Sequence, residues 1–253
     1  MSGPAHVKRV RALHQRKFRE AEGLFLAQGR KLVSEALACG WQVKELFATG
    51  EAARTLRLRQ ATVVPAKDLG RMGTFEQGNE VLAVVRKPAP PALAIPGGQA
   101  FVLALDHVSD PGNLGTLLRI ADWFGARQVW CTPGSVEVWN PKCVQASMGS
   151  LFRVPVVYTD LPSALAKAAD AGVQAYKAEA SGTDVFQVAL QRPCVLVMGS
   201  ESHGLSDAVK AGPGTSIAIP PFGGAESLNV AAAAAALCME LARQGRNDAL
   251  PAP

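Results

Sequence analysis

Several common functional signatures are missing from this 253-residue chain. It has no C-x-x-C pair: Cys39, Cys131, Cys143, Cys194 and Cys238 stand far apart. The spacing of a structural zinc site is therefore lacking, and no metal is expected. An odd number of scattered cysteines suits buried thiols in a reducing compartment, so the expected location is cytoplasmic. No apolar run approaches the roughly 18 residues a membrane helix needs. The longest, Val230 to Leu237, is an alanine tract of modest hydrophobicity, so no membrane partner is expected. The N-terminus has no apolar stretch of the kind a secretory signal carries. There is no Gly-Lys-Ser/Thr phosphate loop, no G-x-G-x-x-G and no internal repeat. Acidic residues are absent from His6 to Arg19.

What is present is a globular composition, 48% apolar, with a formal net charge of +5 and a pI of about 9.1. The charge leans toward a polyanionic partner. Its distribution says more than its sum. Lys8, Arg9, Arg11, Arg16, Lys17 and Arg19 fall in one short stretch. A solvated helix face is the competing reading. A mitochondrial presequence is a poorer one, because the stretch has little serine and runs on into folded sequence.

Apolar spacing predicts a helix over Val7 to Ala21, a strand over Leu24 to Ala27 and a helix over Arg30 to Cys39, closed by Gly40. Strands follow at Val43 to Ala48, Thr62 to Val64 and Val81 to Val85, with a helix at Glu51 to Leu58. Residues 1–88 thus read as a small α/β domain. Lys87 to Gly98 holds four prolines and two glycines, and the expected linker is 89–99. From 100 to 246, near-continuous apolar runs at Phe101 to Leu105, Gln128 to Cys131, Val173 to Tyr176, Val195 to Met198 and Ser216 to Ile219 alternate with helical segments. That is the pattern of an open parallel sheet buried on both faces. Residues 247–253 read as a tail.

Three segments of the second domain carry candidate chemistry. The first leaves the first strand as Asp110-Pro-Gly-Asn113 and reaches Arg119 six residues after the asparagine. Ligands in open α/β sheets bind beyond strand carboxyl ends. Asn113 can cap the following helix, and Arg119, within an apolar stretch, is expected to need an anionic partner if buried. The second is Gly199-Ser-Glu201-Ser-His203-Gly204, again after an apolar strand. Its glycines let backbone approach a ligand, and Glu201 can accept hydrogen bonds. His203 reads as incidental. The third is Ile219 through Glu226-Ser227-Leu228-Asn229. Ser227 or Asn229 opens a helix well, and two such residues are more than a cap requires.

An asparagine with an arginine six residues on, a Gly-x-Glu after a strand, and a Ser-Leu-Asn opening a late helix together resemble the SpoU (TrmH) family of RNA 2′-O-ribose methyltransferases. The match runs in order over about 140 residues. Residues 1–88 look like the substrate-binding domain often attached to this family, similar to the ribosomal protein L30e fold, with Gln28 where many relatives carry glutamate. The resemblance implies a trefoil-knotted methyltransferase domain of the SPOUT type, although knots are nearly absent from proteins. It implies a homodimer and S-adenosylmethionine as methyl donor, held by backbone at Gly199, Ile219 and Leu228. It implies catalysis by Arg119 with Asn113, Glu201, Ser227 and Asn229. RNA is then the partner of the basic stretch and of Arg30, and the added domain favours large-subunit ribosomal RNA over transfer RNA. Other readings are a transfer-RNA ribose methyltransferase, a base methyltransferase of related fold, and a non-catalytic RNA-binding or ribosome-assembly protein.

Overall fold

Two sheets organise the chain in a computed structural model that describes residues 4–74 and 80–247. The chain divides into two compact units: Met1–Ala89 with Glu137–Arg153, and Pro90–Val136 with Val154–Pro253. The first unit begins with α1 (Pro4–Ala12) and α2 (Arg16–Glu22), followed by β1 (Leu24–Gln28), α3 (Arg30–Ala38), β2 (Val43–Ala48), α4 (Gly50–Thr55), β3 (Thr62–Val63), α5 (Ala66–Met72) and β4 (Val81–Arg86). Its sheet has the order β1-β4-β2-β3, antiparallel except for β2 with β3. Leu24 and Leu26 join Val10, Leu13, Phe47 and Met72 in the core on one face. Phe25 points the other way, as strand alternation requires. It meets Trp139, at 4.7 Å between ring centroids, and Trp41. Those contacts explain why Glu137–Arg153 belongs here. Its helix α7 (Pro141–Ala146) packs on β1, and the Trp41 indole donates to the Phe152 carbonyl at 3.1 Å. The sequence reading had placed this segment inside the second domain.

One predicted helix is two. The break at Leu13 to Gln15 leaves carbonyls that α1 cannot satisfy. The Arg19 guanidinium takes those of Leu13, at 2.9 Å, and His14, at 2.8 Å.

The second unit comprises β5 (Phe101–Leu105), α6 (Pro111–Trp123), β6 (Gln128–Cys131), β7 (Val156–Tyr158), α8 (Leu161–Asp170), β8 (Gln174–Asp184), β9 (Cys194–Met198), α9 (Asp207–Ala211), β10 (Thr215–Ala218) and α10 (Val230–Asn247). The strand order is β10-β8-β9-β5-β6-β7, all parallel. From β5 the chain builds outward through β6 to the β7 edge. It then crosses to β8, and β9 fills the gap beside β5. The order therefore switches direction between β5 and β9. Such a switch opens a crevice at the strands' carboxyl ends. On one face Val102, Ala104, Val195 and Val197 form a core with Leu161 and Leu165 of α8; elsewhere in the unit α10 packs on α6.

The proline-rich linker is seated on the second unit. Leu93 and Ile95 pack against that core, and the buried Gln128 side chain receives Ala94 N at 3.0 Å and donates to Ala92 O at 2.9 Å. The expected tail lies outside the described residues from 248 onward. No helix among the described residues is long and apolar enough to cross a membrane. Four of the five cysteines are buried and Cys39 is exposed, which corrects the expectation of buried thiols for that residue.

Candidate active site

The loops leaving β5 and β9 meet at the switch between the two strands, and a buried carboxylate ties them. Asp106, fully buried, accepts from Ser206 N at 2.7 Å through Oδ2 and pairs with His107 Nδ1 at 2.6 Å through Oδ1. Next along the chain, Asp110 caps α6 by accepting from Asn113 N at 2.8 Å, with Pro111 favourably placed in the first turn. The aspartate, and not Asn113 as the sequence suggested, is the cap. That leaves the Asn113 amide free.

The freed amide joins the three motifs. Asn113 Nδ2 donates to Glu201, and Asn229 Nδ2 donates to Asn113 Oδ1 at 3.1 Å. Asn229 Oδ1 meanwhile caps α10, accepting from Ala231 N at 2.9 Å and Ala232 N at 3.4 Å. The orientation of each amide follows from its neighbour. Helix N–H groups demand the Asn229 oxygen, which turns its nitrogen toward Asn113. The Asn113 oxygen must then face Asn229, which turns its nitrogen toward Glu201. The relay thus runs from the start of α10, through α6, to the carboxylate after β9.

Beside the relay lies a cavity of about 570 Å³, within the roughly 300–1,000 Å³ common for small-molecule sites. Gly199, Glu201, Ile219, Ser227 and Leu228 all line it, as do Ile217 and Leu237. Backbone comes close because residue 199 has no side chain: a Cβ there would collide with the backbone of Gly204, itself at φ +66°. Ser200 and Gly204 close the loop with paired backbone bonds of 3.0 and 2.9 Å. His203 is exposed and outside the lining, with its Nδ1 2.7 Å from Ser202 Oγ.

Arg119 stands apart from this constellation. It is exposed on α6 and, among the described residues, makes no hydrogen bond or ion pair. The expected cost of burying it does not arise. Leu114, Leu117, Leu118 and Ala121 hold the buried face of the helix, and Arg119 is turned away from them. Residues that sequence reasoning missed are Asp106 and the end of β8, where Ala178, Glu179 and Ala180 line the cavity. The carboxyl end of an apolar strand was the available signal. It was blurred because β8 runs on through polar residues to Asp184.

The basic stretch is less available than its composition suggests. Arg19 is 2% exposed and bound to Glu137 at 2.6 Å as well as to the two carbonyls, so it is a structural residue and the expectation of RNA contact is corrected. Arg9 pairs with Glu45 and Glu22, Arg16 with Glu20 and Glu137, and Arg30 with Glu80. Lys8, Arg11 and Lys17 are exposed, the last with its ammonium over the Phe18 ring.

Residues 100–239 match the SpoU rRNA Methylase family, and residues 5–86 match the MRM3-like substrate binding domain. The chain belongs to the SpoU family. A SpoU relative from Streptomyces viridochromogenes, 23S rRNA (uridine(2479)-2′-O)-methyltransferase, is 33% identical over 94% of this chain and 90% of that protein. A second, 23S rRNA (guanosine(2553)-2′-O)-methyltransferase RlmP of Bacillus subtilis, is 32% identical over 93% and 95%. Among solved structures, the SpoU methyltransferase AviRb from S. viridochromogenes in complex with AdoMet aligns with TM-score 0.86 at 31% identity, covering 96% of this chain and 99% of that one. The SPOUT-type fold expected from the sequence is therefore the fold of this chain.

Proposed function

We infer that this SpoU protein transfers a methyl group from S-adenosylmethionine to a ribose 2′-hydroxyl of large-subunit ribosomal RNA. One observation carries the reading: the relay from Asn229 through Asn113 to Glu201 stands beside a cavity that Glu201, Gly199, Ile219 and Leu228 line. The cavity suits the methyl donor. It is large enough for a nucleoside, its walls are mostly apolar, and its ionisable lining residues are carboxylates, which fit a cation.

When bound, S-adenosylmethionine supplies an electrophilic methyl group on positively charged sulfur. The protein's contribution is placement and charge. Asn113 and Asn229 fix the orientation of Glu201. Ser227 and the start of α10 border the same space. Arg119 contributes a planar guanidinium from α6. Its five donors suit a phosphate and the negative charge that develops on the attacking oxygen. An exposed guanidinium without a partner among the described residues is consistent with a ligand that arrives with the RNA.

We further propose that two copies pair through α6 and α10. The support is two exposed large apolar side chains on these packed helices, Trp123 at 83% and Met239 at 58% exposure. The trefoil knot stays a proposal carried by the family resemblance. So does the RNA-binding role of Lys8, Arg11 and Lys17, supported by their exposure. Cytoplasmic location remains our reading from the scattered thiols.

The test is Arg119→Ala. Donor affinity by calorimetry should stay near wild type. Ribose methylation, read by mass spectrometry of digested ribosomal RNA, should fall at least about a hundredfold, roughly 2.7 kcal/mol of transition-state stabilisation. A normal methylation rate sinks the assignment.

A further inference from the structure

The charges around the donor cavity are of one sign. Its lining includes Glu179, Glu201 and Glu226 and, among the described residues, no lysine, arginine or histidine. The three carboxylates are not equivalent. Glu201 is engaged by Asn113, and Glu226 sits on an exposed loop. Glu179 lies on β8, next to the edge strand β10, and is partly buried. Its Oε2 accepts from Ser216 Oγ. A single hydroxyl leaves Oε1 without a protein partner among the described residues, and no cation of the cavity wall balances the charge. A carboxylate in a mostly apolar wall is costly unless something compensates it.

We propose that Glu179 reads the charge of the methyl donor and favours S-adenosylmethionine over its demethylated product. This rests on the cavity being the donor site. The chemistry supplies the difference. In the transfer, the ribose oxygen forms a bond to the methyl carbon. The carbon–sulfur bond breaks with its electron pair left on sulfur, and the hydroxyl proton goes to solvent. The sulfonium becomes a neutral thioether, so the ligand loses one positive charge. The attraction from Glu179 acts on the donor and disappears with the product, which eases product release without any movement of the protein. Ser216 acts as a positioning residue by holding the carboxylate at the wall.

The experiment is Glu179→Gln in the full chain, with dissociation constants measured by calorimetry for three ligands. S-adenosylmethionine carries the sulfonium, sinefungin carries an amine cation in its place, and S-adenosylhomocysteine carries neither. Both cationic ligands should weaken by about a hundredfold relative to S-adenosylhomocysteine, the size expected of one charge acting over roughly 6 Å at an effective dielectric constant of about 20. Ser216→Ala should shift the same ratio in the same direction by less. An equal loss for all three ligands means that Glu179 binds their shared part, and overturns the proposal; so does unchanged affinity for all three. Ile219→Trp, which fills the cavity, tests the underlying site separately. If that variant binds S-adenosylmethionine as wild type does, the cavity is not the donor site.

Discussion

Asn229 performs two tasks with one side chain, and they can be separated. Its oxygen caps α10 and its nitrogen holds Asn113. Asn229→Ala removes both. Loss of the cap costs about 1 kcal/mol, within a range of roughly 0.5–2. The exposed bond to Asn113 adds about 0.5–1 kcal/mol, at the lower end for a neutral hydrogen bond. The sum is about 2 kcal/mol, which for a chain of this size lowers Tm by roughly 4–8 °C. Asn229→Ser keeps a good cap but is too short to hold Asn113. Its Tm should fall by only roughly 1–4 °C, the share of the lost bond to Asn113, since the cap survives. Its kcat should nonetheless fall about ten- to a hundredfold, because the Asn113 amide is free to turn over and present its oxygen to Glu201. Calorimetric melts and single-turnover RNA methylation read the two effects. If Asn229→Ser has the wild-type rate, the relay has no catalytic role. If Asn229→Ala melts with the wild type, the capping argument is wrong.

Two further outcomes follow from burial. Burial pushes the Cys131, Cys194 and Cys238 thiols up to about 12, leaving them protonated and unreactive at neutral pH, whereas Cys39 is exposed. Native protein at pH 8 should take up a single equivalent of iodoacetamide, at Cys39, and five after denaturation; rapid labelling of Cys194 in the native state contradicts this. Arg19→Ala leaves Glu137 to Arg16 alone and strands two carbonyls, and should destabilise the protein by about 2–4 kcal/mol, whereas Lys17→Ala, at an exposed position, should shift the denaturant midpoint little. Equal midpoints for the two variants would refute the structural role of Arg19.

Legibility in the sequence followed the range of the interactions. The buried parallel strands declared themselves because strands covered on both faces are apolar without interruption, as Phe101 to Leu105 and Cys194 to Met198 are. The site residues were legible as three motifs, yet their joining was not. Nothing in the order of residues says that the Asn113 amide lies between Glu201 and Asn229, 88 and 116 positions away. The three-residue edge strand β7 was too short for any periodicity to register. Whether Arg119 is buried was not legible, because apolar neighbours in sequence are not neighbours on a helix: residue 119 is turned about 100° from Leu118. Pairing of basic residues is likewise invisible locally, since Arg9 and Arg19 are engaged by Glu45 and Glu137 from distant elements.

The segment Glu137–Arg153 bears on how such proteins can be taken apart or recombined. A graft that exchanged residues 1–89 alone would bring a new β1 surface to a strip of chain shaped for the old one. It would strip Phe25 and Trp41 from Trp139 and Phe152. Each unit of this chain is assembled from two stretches of sequence, so a working chimera has to carry two inserts at once, the N-terminal stretch and the seventeen residues of 137–153. The substrate-binding part therefore travels with a piece of its neighbour's sequence, and substitutions in Phe25 and Trp139 should be inherited as a pair.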